Sequence, residues 1–221
     1  MIRVENIVLG MCATNCYAVF DGGVRTPGGF ADDGILKDAI IVDPAAEPGR
    51  IEDMIVRLGL RPVAVVLTHG HFDHILAADA IRKRYGIKIY ANKDERQIMT
   101  DSNNNLSVPF TGEGMSLDAD EYFSAGDVLE LAGMHIKTIG VPGHTIGGTC
   151  YYIESDGILI SGDTLFEASV GRSDFPTGNA GQLIRAIKDR LMCLPEDTRV
   201  YPGHGGSTTI GNERVNNPFL A

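Results

Sequence analysis

No stretch of this chain is apolar for long enough to span a bilayer. Its first residues, Met1-Ile2-Arg3-Val4-Glu5, lack the charged-then-apolar form of a secretion signal. Membrane embedding and export are therefore not expected. Cysteine is sparse: Cys12, Cys16, Cys150 and Cys193 contain no C-x-x-C pair, which argues for reduced, structural thiols in a cytoplasmic protein. Positive charge is short as well. A net charge of −10 disfavours nucleic acid as a partner, because phosphate binding draws on clustered Lys and Arg. The longest basic cluster, Arg82-Lys83-Arg84, reads as the solvated end of a helix. With no internal repeat, Gly-rich linker or composition shift, residues 1–221 are expected to form a single domain.

What is present is ordinary globular material, 43% hydrophobic and 22% charged. Short apolar or alternating runs at residues 2–9, 16–20, 39–42, 62–67, 87–91, 128–131, 135–139, 150–153, 158–161 and 198–201 predict strands. Helical patterns lie at 48–58, 74–85, 93–99 and 179–194. In the last of these, Leu183, Ile184, Ile187, Leu191 and Leu194 make one apolar face that Pro195 closes. Strands in hairpin-like succession mixed with helices predict an α+β fold: two sheets covered outside by helices rather than a doubly wound parallel sheet. Two irregular stretches, residues 22–37 and 101–122, are long enough to serve as lids over a site, with Phe30 and Phe110 as candidate substrate contacts.

The most informative segment is Thr68-His69-Gly70-His71-Phe72-Asp73-His74, directly after an apolar run. Burying three imidazoles and a carboxylate together would be costly without a compensating cation. Neutral imidazole and carboxylate are ligands that zinc, iron and manganese accept. Three further clusters follow the same pattern, a metal-competent residue beside Gly just past an apolar strand: Pro142-Gly143-His144-Thr145, Gly162-Asp163-Thr164 and Pro202-Gly203-His204-Gly205. Ligands delivered from several strand ends converge if those ends share one edge. His135, alternating with Met134 and Ile136, is left over as a structural histidine.

Taken together, His-x-His-x-Asp-His, a later His, Gly-Asp-Thr and Pro-Gly-His resemble the metallo-β-lactamase superfamily over essentially the whole chain. The resemblance implies an αββα sandwich, two mixed sheets packed face to face with helices outside. It implies that His69, His71 and His144 hold one divalent ion, that Asp73, His74 and His204 hold a second, and that Asp163 bridges them. Two zinc ions are expected, although a donor set without thiolate also admits iron or manganese.

Within the superfamily, Asp163 stands where the di-zinc lactamases of the Cys type carry cysteine. That residue and the run Ser169-Val170-Gly171-Arg172-Ser173-Asp174-Phe175-Pro176 are similar to the glyoxalase II-like (hydroxyacylglutathione hydrolase-like) enzymes in their short single-domain bacterial form. The implied reaction is hydrolysis of a small-molecule thioester by a metal-bridging hydroxide, with Asp73 both ligand and water-orienting catalytic group. Arg172 is the candidate for a substrate carboxylate. Thr145 and Asp174 are candidates for orienting ligand imidazoles. A glutathione-gripping helical C-terminal domain, as in full-length glyoxalase II, is not expected, so the resemblance implies the reaction more than the thiol. The alternatives are a mononuclear-iron persulfide dioxygenase, which has a similar Gly-Arg-Thr-Asp-Phe stretch, and a non-catalytic metal-binding module.

Overall fold

The computed structural model describes residues 1–23, 25, 26, 29, 30 and 36–221, the side chains of residues 25, 26, 29 and 30 excepted. Strands β1 (Ile2–Leu9) and β2 (Thr14–Asp21) form an antiparallel pair, followed by a minor hairpin of β3 (Arg25–Thr26) and β4 (Gly29–Phe30). β5 (Lys37–Val42) leads into helix α1 (Pro48–Leu58), which starts with Pro at its first position and stops at Gly59, φ 63°. β6 (Leu60–Val66), helices α2 (Phe72–Ile75) and α3 (Ala78–Tyr85), and β7 (Lys88–Asn92) come next. A 3-10 turn, Lys93–Glu95, precedes α4 (Arg96–Met99), α5 (Ser107–Thr111) and β8 (Glu121–Phe123), and a second 3-10 turn lies at Glu154–Asp156. The second half consists of β9 (Val128–Leu131), β10 (Met134–Gly140), β11 (Thr149–Ile153), β12 (Ile158–Gly162), β13 (Leu165–Phe166), β14 (Ser169–Val170), α6 (Ala180–Arg190), β15 (Arg199–Pro202), β16 (Thr208–Thr209) and α7 (Ile210–Asn216).

Two six-stranded sheets result, ordered β1-β2-β5-β6-β7-β8 and β16-β15-β12-β11-β10-β9. Both are mixed: β5 through β8 run parallel in the first, and β12 pairs parallel with β15 in the second. Strand alternation builds the layers. On β2, Tyr17 and Val19 pack between the sheets with Ile40, Val66, Tyr151 and Ile160, while Cys16, Ala18 and Phe20 face the helix side with Ile51, Ile55 and Ile81. On the far side, Cys150, Tyr152 and Leu159 meet Leu183 and Ile187 of α6. The architecture is thus the α+β sandwich, helix–sheet–sheet–helix, that the sequence predicts.

The differences from the predicted elements have local causes. The expected helix over 74–85 is broken into α2 and α3 because the Ala77 amide donates to the Pro44 carbonyl, 2.9 Å away, instead of staying in the helix ladder. Segment 93–99 begins as a 3-10 turn, with the Asn92 side chain accepting from the Asp94 amide at 3.1 Å. The stretch 101–122 is not wholly irregular, since it carries α5. Among the described residues, no helix is long and apolar enough to cross a membrane.

Candidate metal centre

Five strands end at one edge of the sandwich, and each is followed by a polar residue that turns inward. Asp43 follows β5, the His69–His74 run follows β6, His144 follows β10, Asp163 follows β12 and His204 follows β15. Bonds between the sheets hold these ends together. Tyr151 Oη donates to the Leu67 carbonyl at 2.5 Å, Tyr17 Oη to the Pro202 carbonyl at 2.6 Å, and the Asn15 amide to the Gly203 carbonyl at 2.7 Å. Gly203 is required by close approach: a Cβ there would run into Asp163 Oδ1 and His74 Cε1. Gly162 adopts φ 50°, and a Cβ on it would strike Thr68.

The first cluster is a triangle of ring nitrogens. His69 Nε2 lies 3.0 Å from His71 Nδ1, and His144 Nε2 lies 3.2 Å from the former and 3.0 Å from the latter. One ion at a zinc–nitrogen distance of about 2.0–2.1 Å can touch all three. Burial is the main reason all three rings are held below the usual histidine range, His71 down to about 3. They are therefore neutral at pH 7 with lone pairs available.

The second cluster is mixed in charge. His204 Nε2 lies 3.4 Å from Asp73 Oδ2, and His74 Nε2 lies 3.7 Å from the same oxygen. Burial opposes charge on both rings, but the carboxylates outweigh it. Asp73, Asp163 and Asp43 lift His74 well above its ordinary value, while Asp163 and Asp73 push His204 up to about 9. Conversely, burial would raise Asp73, but His74 and His204 bring it down to about 2. Asp163 stands between the clusters: Oδ2 is 3.7 Å from His144 Nε2 and 3.4 Å from His204 Nε2, and Oδ1 is 3.4 Å from His74 Nε2.

Residues in this arrangement fit metal ions. His74 Nε2 and Asp163 Oδ1 are buried without a hydrogen-bond partner, an arrangement that costs stability unless a cation takes up both lone pairs. His71 Nε2, on the side away from the triangle, is also buried and unpaired.

The nitrogens on the far side of the ligand rings are held mostly by groups that sequence reading passes over. His74 Nδ1 donates to Asp43 Oδ2 at 2.9 Å, and Asp43 also accepts from the Thr68 amide at 2.8 Å and the Thr68 hydroxyl at 2.6 Å. His69 Nδ1 meets Thr68 Oγ1 at 3.1 Å. His144 Nδ1 donates to the Arg172 carbonyl at 2.7 Å, and His204 Nδ1 to the Cys12 carbonyl at 3.1 Å. Thr145 and Asp174 do not take these places. The Thr145 hydroxyl donates to Glu95 Oε1 at 2.7 Å, and Asp174 is engaged by Arg172 through two bonds of 2.7 Å. Each has a stronger charge-assisted partner than an imidazole offers.

Glu95 also lies outside the sequence motifs. Only 1% exposed, it accepts from the Gly70 amide, the Thr145 hydroxyl and the Gly147 amide, all at 2.7 Å. It thereby ties the His69–His71 turn of one sheet to the His144 turn of the other. Burial pushes its carboxyl up to about 7, against the pull of those three donors.

Among the remaining candidates, Phe110 and Arg172 line the cavity over the clusters, and Leu106 and Phe110 bring segment 101–122 into its wall. The side chain of Phe30 and half of segment 22–37 lie outside the described residues. His135 is on the exposed face of β10, 2.5 Å from Glu130. Cys12 also lines the cavity, and burial and then Asp73 raise its thiol.

Comparison with known proteins agrees with this geometry. The family model of the metallo-beta-lactamase superfamily matches residues 35–204. The chain is 37% identical to the probable metallo-hydrolase YqgX of Bacillus subtilis over 82% of this chain and 86% of that one. It is 34% identical to the hydroxyacylglutathione hydrolase GloC of Haemophilus influenzae over 83% and 88%. Among solved structures, the BLEG-1 B3 metallo-beta-lactamase superposes with a TM-score of 0.87 at 34% identity over 100% of both chains. TTHA1623 in a di-iron-bound form does so with 0.80 at 30% identity over 98% and 100%. With its αββα layers, its strand-end His and Asp clusters and these matches, the chain belongs to the metallo-beta-lactamase superfamily of metal-dependent hydrolases.

Proposed function

We propose that the chain is a dinuclear thioester hydrolase of the hydroxyacylglutathione hydrolase type. The observation that carries the reading is the placement of Asp163, a carboxylate rather than a thiolate, with one oxygen facing His144 and His204 and the other facing His74. His69, His71 and His144 would hold one ion, Asp73, His74 and His204 the other, and Asp163 would touch both. When bound there, two such ions would supply acidification of a water and neutralisation of charge on a carbonyl oxygen.

The chain's own residues do the positioning. Thr14 Oγ1 donates to Asp73 Oδ2 at 3.0 Å, fixing the carboxylate at the cavity floor, where it orients the attacking water. The attacking water gives up a proton to solvent as its oxygen bonds to the carbonyl carbon, the C–S bond breaks, and the electron pair leaves on sulfur. A thiolate is a stable anion (thiol pKa about 8.5 for cysteine), so the site needs no strong acid on the leaving side. The similarity to GloC supports thioester chemistry, and the similarity to a di-iron-bound protein supports an open choice of metal.

The test is thiol release from S-D-lactoylglutathione and a panel of other thioesters by protein loaded with zinc, iron or manganese, with metals per chain measured alongside. Turnover that falls by about a hundredfold or more in His69→Ala is expected. Loaded protein that leaves every thioester intact, yet opens a β-lactam or consumes oxygen with a persulfide, would overturn the reading.

A further inference from the structure

A cavity of about 370 Å³ opens over the metal-competent residues, within the size range of small-molecule sites. Its floor is polar, formed by His71, Asp73, His144, Asp163 and His204, while its walls include Phe72, Leu106, Phe110, Phe166, Val170 and Phe175. Three of these phenyl rings form a continuous surface. Phe72 and Phe110 stack with centroids 5.7 Å apart, Phe110 meets Phe175 edge-on at 5.8 Å, and Phe175 meets the His71 ring at 5.9 Å. Phe110 is 47% exposed, so the wall presents bare aromatic carbon to whatever enters.

The same cavity is poor in usable positive charge from side chains. Among the described residues that line it, Arg172 is the only Lys or Arg. Its guanidinium is already committed, edge-on to Asp174 through two bonds of 2.7 Å and face-on to the Phe175 ring at 3.8 Å. Away from the metal-competent floor, a carboxylate at the far end of the acyl group would meet phenyl carbon and a guanidinium already paired with Asp174.

We infer that the site selects thioesters whose acyl group is uncharged and apolar, with Phe72, Phe110 and Phe175 as the specificity-determining wall. This rests on the thioester hydrolase reading and adds the class of acyl group to it. On this inference the acyl group lies against the wall and the thiol carrier at the open mouth, a placement that an acyl series on one constant carrier tests. Each methylene moved from water onto the wall favours the transition state by about fourfold.

The experiment uses the zinc-loaded full-length protein and acetyl, butyryl, hexanoyl and succinyl thioesters of one uncharged carrier, N-acetylcysteamine. Expected is a rise in kcat/KM of at least about tenfold from acetyl to hexanoyl, with succinyl at least about tenfold below butyryl. Phe110→Ala and Phe175→Ala flatten the series, and Phe110→Leu, which keeps apolar bulk, restores most of it. A flat wild-type series, or succinyl equal to butyryl, overturns the inference. If no thioester turns over, the hydrolase reading fails on its own, and calorimetry of hexanoate against succinate on the zinc-loaded protein then decides the wall. Preference for hexanoate that Phe110→Ala abolishes supports it, and equal binding overturns it.

Discussion

His74 donates from Nδ1 to Asp43 at 2.9 Å, and this bond aims the opposite nitrogen, Nε2, toward Asp163 Oδ1 at 3.4 Å, where neither atom has a hydrogen-bond partner. One hydrogen bond on the far side of the ring thus sets the direction of a ligand lone pair. The Thr68 amide and hydroxyl fix Asp43 in turn, so the turn after β5 and the turn after β6 are oriented as one unit.

Removing Asp43 should therefore be felt by the metal ions before it is felt by the fold. Asp43→Asn keeps the size and one acceptor, and is expected to weaken the second ion by about tenfold to a hundredfold while the first stays. Asp43→Ala also strands the buried Thr68 donors, with a stability loss of about 3 kcal/mol. Zinc titration against a competing chelator, paired with urea unfolding, reads both effects. Unchanged affinity in Asp43→Asn would show that the bond to His74 is incidental.

Much of this centre is legible before any coordinates, for a physical reason. Side-chain metal ligands come from a few residue types, chiefly His, Asp, Glu and Cys, and a tight turn after a strand puts several of them within a few residues, as in the His69–His74 run. Asp43 obeys the same rule, since it follows the apolar run 39–42, but a lone Asp-Pro after a strand also describes an ordinary turn. Glu95 is invisible for a stronger reason. In Lys93-Asp94-Glu95-Arg96 it reads as a solvated helical face, and only the approach of the second sheet buries it. Two-residue strands such as β13, β14 and β16 are too short for periodicity to register.

Chelation should lower thermal stability markedly. Ions bound only by the folded protein stabilise it by about 4 kcal/mol at a thousandfold excess over Kd. In a domain of this size that corresponds to roughly 8–16 °C in Tm. Scanning calorimetry with and without a strong chelator, followed by zinc re-addition, tests this. An unchanged Tm would mean that the buried, unpaired His74 Nε2 and Asp163 Oδ1 have no cation to satisfy them.

Glu95 makes stability depend on pH in a predictable direction. Its carboxyl ordinarily titrates at 4.5 and burial lifts it to about 7. Below pH 4.5 the group is protonated in both folded and unfolded chains and carries no penalty. As pH rises from 4.5 to 7 the unfolded chain ionises first, so folding loses stability, about 3 kcal/mol in full above pH 7. Glu95→Gln cannot ionise and should lack this slope. Urea unfolding of both proteins in parallel, from pH 4.5 to 8, isolates the term as a difference. Identical slopes would show that the three donors at Gly70, Thr145 and Gly147 keep the carboxylate ionised throughout.

Gly203→Ala separates the two clusters most sharply. An added Cβ overlaps His74 Cε1 of the second cluster and the Asp163 oxygen that faces His74, while none of the three nitrogens of the first cluster is among its three nearest atoms. Gly203 is not at positive φ, so the methyl group acts through that overlap and not through backbone strain. The variant should fold with a modest loss of stability, of about 1–3 kcal/mol for an overpacked site. Elemental analysis is expected to find one ion per chain where the wild type holds two. If two ions remain, the carboxylate and the ring have room to move aside, and the close approach of β12 and β15 does not set the geometry of the second cluster.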